Sequence, residues 1–274
     1  MRQLFNEDHL FNLAEQYRDE FVNAKPFPHL VIDNFLDPKI LDEVLNAFPQ
    51  KDELDFYKYE NQLERKLAFD QVSKLPDPIY NILTQMNSAV FISFLEKLTG
   101  IEGVIPDPYY RGGGIHQIEK GGKLDVHIDF NIHTKFKLNR RLNAIIYLNK
   151  DWEEAYGGHF EIWKGHQGEN GQHILESCEN RILPIFNRFV IFATSEKSYH
   201  GHPEPLTCPE GRSRKSIALY YYTNGREDEF NETPAHSTTF IKRPEDPDNK
   251  ELDELRQKRN QGRLNSNVKT STTA

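Results

Sequence analysis

The run Lys123-Leu124-Asp125-Val126-His127-Ile128-Asp129-Phe130 constrains this chain more than any other stretch. Apolar and polar side chains alternate through it with period two, the pattern of a half-buried strand. Leu124, Val126, Ile128 and Phe130 take one face and leave Asp125, His127 and Asp129 on the other. Such a face meets either water or a polar pocket, and for an isolated His-x-Asp the exposed edge strand is the commoner case. Sequence far downstream shifts the balance. Ser198-Tyr199-His200-Gly201-His202 adds two histidines, and Arg214-Lys215-Ser216-Ile217 then opens another strand. Two histidines and one carboxylate on adjoining strands make a metal-binding face with its other positions open.

Around that run the chain reads as short strands separated by turns, predicted at 114–118, 123–130, 142–149, 159–163, 189–193 and 216–223. No long helix interrupts them, which argues for a barrel or sandwich. Upstream, apolar spacing predicts helices over 6–24, 38–48 and 76–98, with a short strand at 29–35. Asp37-Pro38 is a helix start and Gly100 a helix stop. Arg111-Gly112-Gly113-Gly114 lacks the Lys-Ser/Thr ending of a phosphate loop and opens no helix, so it reads as a close approach of backbones. Beyond 224 apolar residues thin out, and an exposed helix over 251–263 is expected with disorder on either side. The expected class is mainly β with N-terminal helices: a helical region at 1–105, a β core at 106–225 and a polar, partly disordered tail at 226–274.

The formal net charge of −8 argues against a general nucleic-acid or anionic-membrane binder. No stretch reaches the ~18 apolar residues that a membrane span needs, and the charged start, Met1-Arg2-Gln3-Leu4-Phe5-Asn6-Glu7-Asp8, has no signal-peptide core. Cys178 and Cys208 suit a reducing compartment without a disulfide. A cytoplasmic protein is expected.

Period-two spacing does not choose between Asp125 and Asp129, nor between His200 and His202. His133, His166 and His173 fall in predicted loops, and His159 with Glu161 is a weaker rival pair. On the strand that opens at Arg214, Arg214, Ser216, Ala218 and Tyr220 share a face; on 142–149, Asn143, Ile145 and Tyr147 do. Arg214, with Tyr147 beside it, can hold a carboxylate in a dry pocket, because guanidinium binds it through two parallel hydrogen bonds. The stretch 130–150 carries Lys135, Lys137, Arg140, Arg141 and Lys150 with no acid, which suggests a basic rim that favours a negatively charged substrate.

These pieces occur together, in one order: His127-Ile128-Asp129, then Arg141-Leu142-Asn143-Ala144-Ile145-Ile146-Tyr147-Leu148-Asn149, Gly157-Gly158, Ser198-Tyr199-His200 and Arg214-Lys215-Ser216-Ile217. In this the chain resembles the 2-oxoglutarate- and iron(II)-dependent oxygenases of the prolyl-4-hydroxylase-like branch, over roughly 110–223. The resemblance implies a double-stranded β-helix, or jelly-roll, core. It implies His127, Asp129 and His200 as iron ligands, Arg214 as the anchor of the 2-oxoglutarate distal carboxylate, and Tyr147 and Ser216 as its neighbours. The family often has a tyrosine ten positions before the first ligand; that position is Gln117 here, a candidate cofactor contact. The implied activity is hydroxylation of an unactivated carbon, a prolyl or other amino-acid residue among the candidates, with succinate and CO2 as co-products. Ascorbate is a candidate reductant, and the substrate a small molecule or a peptide. A cupin-like metal-dependent hydrolase or isomerase would use the same triad without needing Arg214 or Tyr147. A non-catalytic jelly-roll binding module would need no metal.

Overall fold

A computed structural model describes residues 3–261 of the chain. The N-terminal part holds α1 (Glu7–Asn23), β1 (His29–Asp33), α2 (Pro38–Asn46), β2 (Tyr57–Glu60), β3 (Glu64–Phe69), α3 (Asp77–Met86) and α4 (Ala89–Thr99). Strands then dominate: β4 (Ile105–Pro106), β5 (Gly114–Glu119), β6 (Lys123–Ile128), β7 (Asn139–Tyr147), β8 (Phe160–Gln167), β9 (His173–Ile182), β10 (Arg188–Ala193), β11 (Tyr199–His202), β12 (Ser213–Thr223) and β13 (Thr239–Phe240). Helix α5 (Lys250–Asn260) closes the described chain.

Local chemistry sets the helix ends. The Asn6 side chain accepts the His9 N–H at 2.9 Å, and Asp37 accepts that of Lys39 at 2.9 Å. The single helix expected over 76–98 is two. Ser88 turns extended and its hydroxyl accepts the Phe91 N–H, so a new N-cap interrupts an otherwise continuous apolar stripe. Gly100, at φ +73°, ends α4 as expected.

The strands form one curled antiparallel sheet in the order β1-β10-β7-β12-β5-β3-β6-β11-β8-β9. Strand β3 joins its two halves, pairing with β5 through Leu67–Phe69 and with β6 through Glu64 and Arg65. This is a double-stranded β-helix with helices on one side. Leu142, Ala144, Ile146, Ile217, Leu219 and Tyr221 face outward and pack with Leu10, Ala14, Phe91 and Leu95 of the helices. Each such buried side chain contributes about 1.5–3 kcal/mol relative to exposure. The opposite faces meet inside, where Tyr147, Val190 and Phe192 of one half pack with Phe160 and Ile162 of the other. The glycine run at 112–114 is a close approach of backbones, as expected. Gly114 has φ +81°, and a Cβ there would lie 2.2 Å from the Phe69 carbonyl oxygen of β3.

Several expectations fail for identifiable reasons. Strand β9 was not predicted: it pairs only with β8 along an outer edge, and its side chains alternate weakly. In the 1–105 region the strand expected at 29–35 is present as β1, whereas β2 and β3, which no periodicity announced, are additional strands, and β3 joins the main sheet. The chain beyond 224 re-enters the fold. Strand β13 pairs with β6, and α5 packs on β13. Helix α5 forms as expected and keeps one face exposed, but the other is docked: Arg256 is buried against Asp125, Asp246 and Asp253, and Arg259 pairs with Glu64. The remainder of the expected tail, 262–274, lies outside the described residues. Both cysteines are free thiols, with Cys208 buried beside Ile118, Trp152 and Leu206.

Candidate active site

Strands β6 and β11 lie side by side with His127 directly opposite His200. The chain brings Asp129 between them. Its Oδ1 lies 3.8 Å from His127 Nε2 and its Oδ2 lies 3.4 Å from His200 Nε2. One ligand atom from each of the three falls within 4.8 Å of the others. Each imidazole is oriented alike: Nδ1 meets a backbone carbonyl two residues earlier, Asp125 O for His127 and Ser198 O for His200, both at 2.8 Å. A carbonyl only accepts, so Nδ1 carries the proton and Nε2 presents its lone pair to the cluster. Burial pushes the His127 imidazole down to about 3, with His200 adding to the shift and Asp129 opposing it. Burial likewise lowers His200. For Asp129, burial acts upward but is outweighed, first by Arg140 and then by the two histidines and the Asn143 hydrogen bond. Its carboxyl lies well below the usual range. Two neutral imidazoles and a carboxylate are a donor set that fits a divalent iron.

The ambiguity between Asp125 and Asp129 is resolved by an irregularity. From His127–His200 to Leu124–His202, three steps of β6 are matched by two of β11, a bulge that breaks the alternation. The Asp125 carboxylate is held by Lys123 at 2.6 Å and Arg256 at 3.5 Å, outside the cluster. The other rivals are engaged elsewhere. His159 meets Glu154 at 2.7 Å, while Glu161 takes Trp163 and Arg181. His166 and His173 stand on the β8–β9 hairpin rather than in a loop.

Two residues that the sequence did not single out as site residues hold Asp129. Asn143 Nδ2 donates to Asp129 Oδ2 at 2.7 Å. Arg140, fully buried, donates through Nε to Asn143 Oδ1 at 2.8 Å and reaches Asp129 at 3.2 Å. Its guanidinium is sandwiched between Tyr220, at 3.5 Å from the ring centre, and Phe130, at 4.5 Å. The only sequence signal for Asn143 was the face it shares with Tyr147; Arg140 looked like one of five rim cations. That rim does not exist as a unit. Arg140 points inward, Arg141 pairs with Asp228, Lys150 pairs with Asp42, and Lys135 sits 3.8 Å over Tyr109.

Deeper in the same lumen, Ser216 of β12 pairs with Tyr147 of β7 on one side and His116 of β5 on the other. Paired residues share a face, so this row lines the interior. Arg214, one step along, donates Nε–H to the Gly158 carbonyl at 2.8 Å and Nη2–H to Tyr147 Oη at 3.1 Å. It is 5% exposed, and burial lowers its basicity without a carboxylate to offset it. Gly158 has φ +72°, and a Cβ there would lie 3.0 Å from Arg214 Cδ and 2.5 Å from Leu206 Cδ2. Hence Gly158 of the Gly157-Gly158 pair is the residue against which the arginine lies. Gln117 does not join this group: it pairs with Lys215 on the opposite face, and its amide donates to Ser213 Oγ at 3.0 Å. Counting back ten positions misses the inward face by one; His116 and Ile118 are the β5 side chains on the Arg214 face.

Residues 113–222 match the family described as the 2OG-Fe(II) oxygenase superfamily. Among solved structures, a prolyl hydroxylase from Trichoplax adhaerens, in complex with a hypoxia-inducible-factor oxygen degradation domain peptide fragment, aligns with TM-score 0.55 at 19% identity, over 78% of this chain and 91% of that one. A prolyl-4-hydroxylase from Pseudomonas putida aligns with TM-score 0.51 at 15% identity, over 79% and 100%. HygX from Streptomyces hygroscopicus, with nickel, 2-oxoglutarate and hygromycin B bound, aligns with TM-score 0.51 at 11% identity, over 81% and 96%. The fold is thus that of the 2-oxoglutarate oxygenases, and the resemblance read from the sequence is met again in both comparisons. Among the described residues, no helix is long and apolar enough to cross a membrane.

Proposed function

We propose that this chain is an iron(II)- and 2-oxoglutarate-dependent dioxygenase that hydroxylates an unactivated carbon of a peptide or small-molecule substrate, a prolyl or other amino-acid residue being the leading class. The observation that carries this reading is the sharing of one lumen by the His127–Asp129–His200 cluster and the buried Arg214–Tyr147 pair. A cupin-like hydrolase or a binding module has no use for an unpaired arginine there. When bound, iron(II) with 2-oxoglutarate and dioxygen supplies the oxidising chemistry, with succinate, CO2 and the hydroxylated carbon as products. Residues 106–225 carry the proposed oxygenase unit, ascorbate is its expected reductant, and its two free thiols fit a cytoplasmic location.

The chain's own part is binding and orientation. His127, Asp129 and His200 would hold the metal, with Asn143 and Arg140 fixing the carboxylate. Arg214 keeps three N–H donors after serving Gly158 and Tyr147, enough to grip a carboxylate bidentately. Tyr147, buried and held by that arginine, adds its hydroxyl to the same end. Phe160, Phe192 and Ile162 line the lumen and keep water from it. Anaerobic addition of 2-oxoglutarate to the iron(II) protein should give a metal-to-ligand charge-transfer band that is absent without either component. No band at millimolar 2-oxoglutarate refutes the reading.

A further inference from the structure

His202 has no role so far, yet it is one of the most constrained side chains in the lumen. It is 4% exposed, and neither Nδ1 nor Nε2 has a hydrogen-bond partner among the described residues. A buried imidazole N–H left unpaired is unfavourable, and such groups in native folds generally await a ligand or water. Strand alternation puts His202 on the same side as His200, ~6–7 Å further along β11. Burial is the main reason its imidazole stays neutral, and the charged groups that add to this are Arg214, Lys66, His127 and His116. No carboxylate is among them. Strand β11 runs antiparallel to β8 with His200 opposite Ile162 and Gly201 opposite Glu161, so His202 lies toward Phe160 and Gly158, whose carbonyl takes the Arg214 Nε–H. It is placed along the interval from the candidate metal cluster to the guanidinium that a five-carbon dicarboxylate must span. A neutral donor beside an arginine with no acid to pair converges on an anion.

We infer that His202 is a third contact of the co-substrate, donating a ring N–H to the distal carboxylate that Arg214 and Tyr147 also bind. The inference rests on the oxygenase reading above. It makes the anchor a three-sided cradle: Arg214 and Tyr147 from one half of the sheet, His202 from the other.

The test is anaerobic titration of 2-oxoglutarate into the iron(II) protein, read by the charge-transfer band, with iron affinity measured separately. His202→Leu should keep iron and weaken 2-oxoglutarate about 10- to 100-fold, the loss expected for one hydrogen bond to a charged group. His202→Gln, which keeps a donor, should recover part of the loss. 2-Oxobutanoate, which lacks the distal carboxylate, should bind parent and His202→Leu alike. If His202→Leu binds 2-oxoglutarate as tightly as the parent, the inference is overturned and the oxygenase reading stands. An equal loss for both oxo acids also overturns it, because the defect would then lie at the metal end. If the parent itself gives no band, both fall. Should His202→Leu lose iron or its fold, His202→Gln and His202→Asn decide the matter by the same titration.

Discussion

Arg214 predicts two effects of opposite sign from one substitution. Its cation is buried, satisfied only by the Gly158 carbonyl and the Tyr147 hydroxyl, and unpaired with any acid among the described residues. In the free protein that arrangement is costly. Arg214→Met keeps the long unbranched stem and removes the charge, so the unliganded fold should gain stability, roughly 1–4 kcal/mol as when buried ions give way to apolar side chains. For a chain of this size that is a rise in Tm of several degrees, at about 2–4 °C per kcal/mol. Co-substrate binding should move the other way. A distal carboxylate deprived of its partner loses about 3–5 kcal/mol, which is a 2-oxoglutarate Kd raised about 150- to 5,000-fold. Arg214→Lys keeps the charge but loses the fork and should fall between parent and Arg214→Met in affinity. Calorimetric scans of the metal-free proteins and anaerobic charge-transfer titrations of the iron(II) forms measure the two effects. An Arg214→Met variant that melts lower than the parent, or binds 2-oxoglutarate equally well, refutes the argument that this arginine is held for an absent anion.

His127→Ala and His200→Ala should each abolish iron-dependent succinate formation while leaving the circular-dichroism spectrum near that of the parent; full turnover in either rules out the triad. Asn143→Leu frees the Asp129 carboxylate on one side and should weaken iron binding about 10- to 100-fold, read by competition with a chelator. The buried histidines make the metal-free protein acid-sensitive. His116 and His127 fall from 6.5 to about 3 in the folded state because burial disfavours their charged forms. Their contribution is thus complete above pH 6.5 and is lost as pH falls from there towards 3, by about 1.4 kcal/mol per pH unit for each. Denaturant midpoints at pH 7.5 and 5.5 should differ accordingly, and His116→Gln should reduce the difference; identical midpoints would contradict the burial argument.

Much of this site was legible because it is built on strands whose period is fixed. Alternation in 123–130 placed His127 and Asp129 on one face, and the Arg214–Ser216 and Asn143–Tyr147 faces fell where expected. What failed were features that alternation does not encode. The bulge that removes Asp125 from the cluster depends on pairing with β11, and Gln117 was one residue out because a fixed count from His127 does not give the register of β5 on β12, which puts Gln117 opposite Lys215. The basic run 130–150 looked like one surface since sequence adjacency hides direction: successive cations point to the interior, to Asp228 and to Asp42. Composition misled most at the C-terminal end. Charge density there was read as solvation, whereas Arg256 and Arg259 are spent on buried carboxylates of β6 and β3.

One edge of β6 is shared by two strands from far apart in the chain. β3 covers its start, and β13 covers its end through Thr239, Phe240 and the Ile241 N–H bond to the Val126 carbonyl. Phe240 lies 5.6 Å from the His127 ring. During synthesis, every proposed ligand has left the ribosome by His200, yet the strand that carries His127 and leads into Asp129 waits some forty residues more for its last neighbour. A nascent chain halted just past Tyr222 would hold all three donors on a half-open edge, exposed to pairing with another such chain. If the cluster takes iron as proposed, the edge beside His127 closes only when 239–240 pair with β6, so iron loading is expected after that segment has been made rather than before.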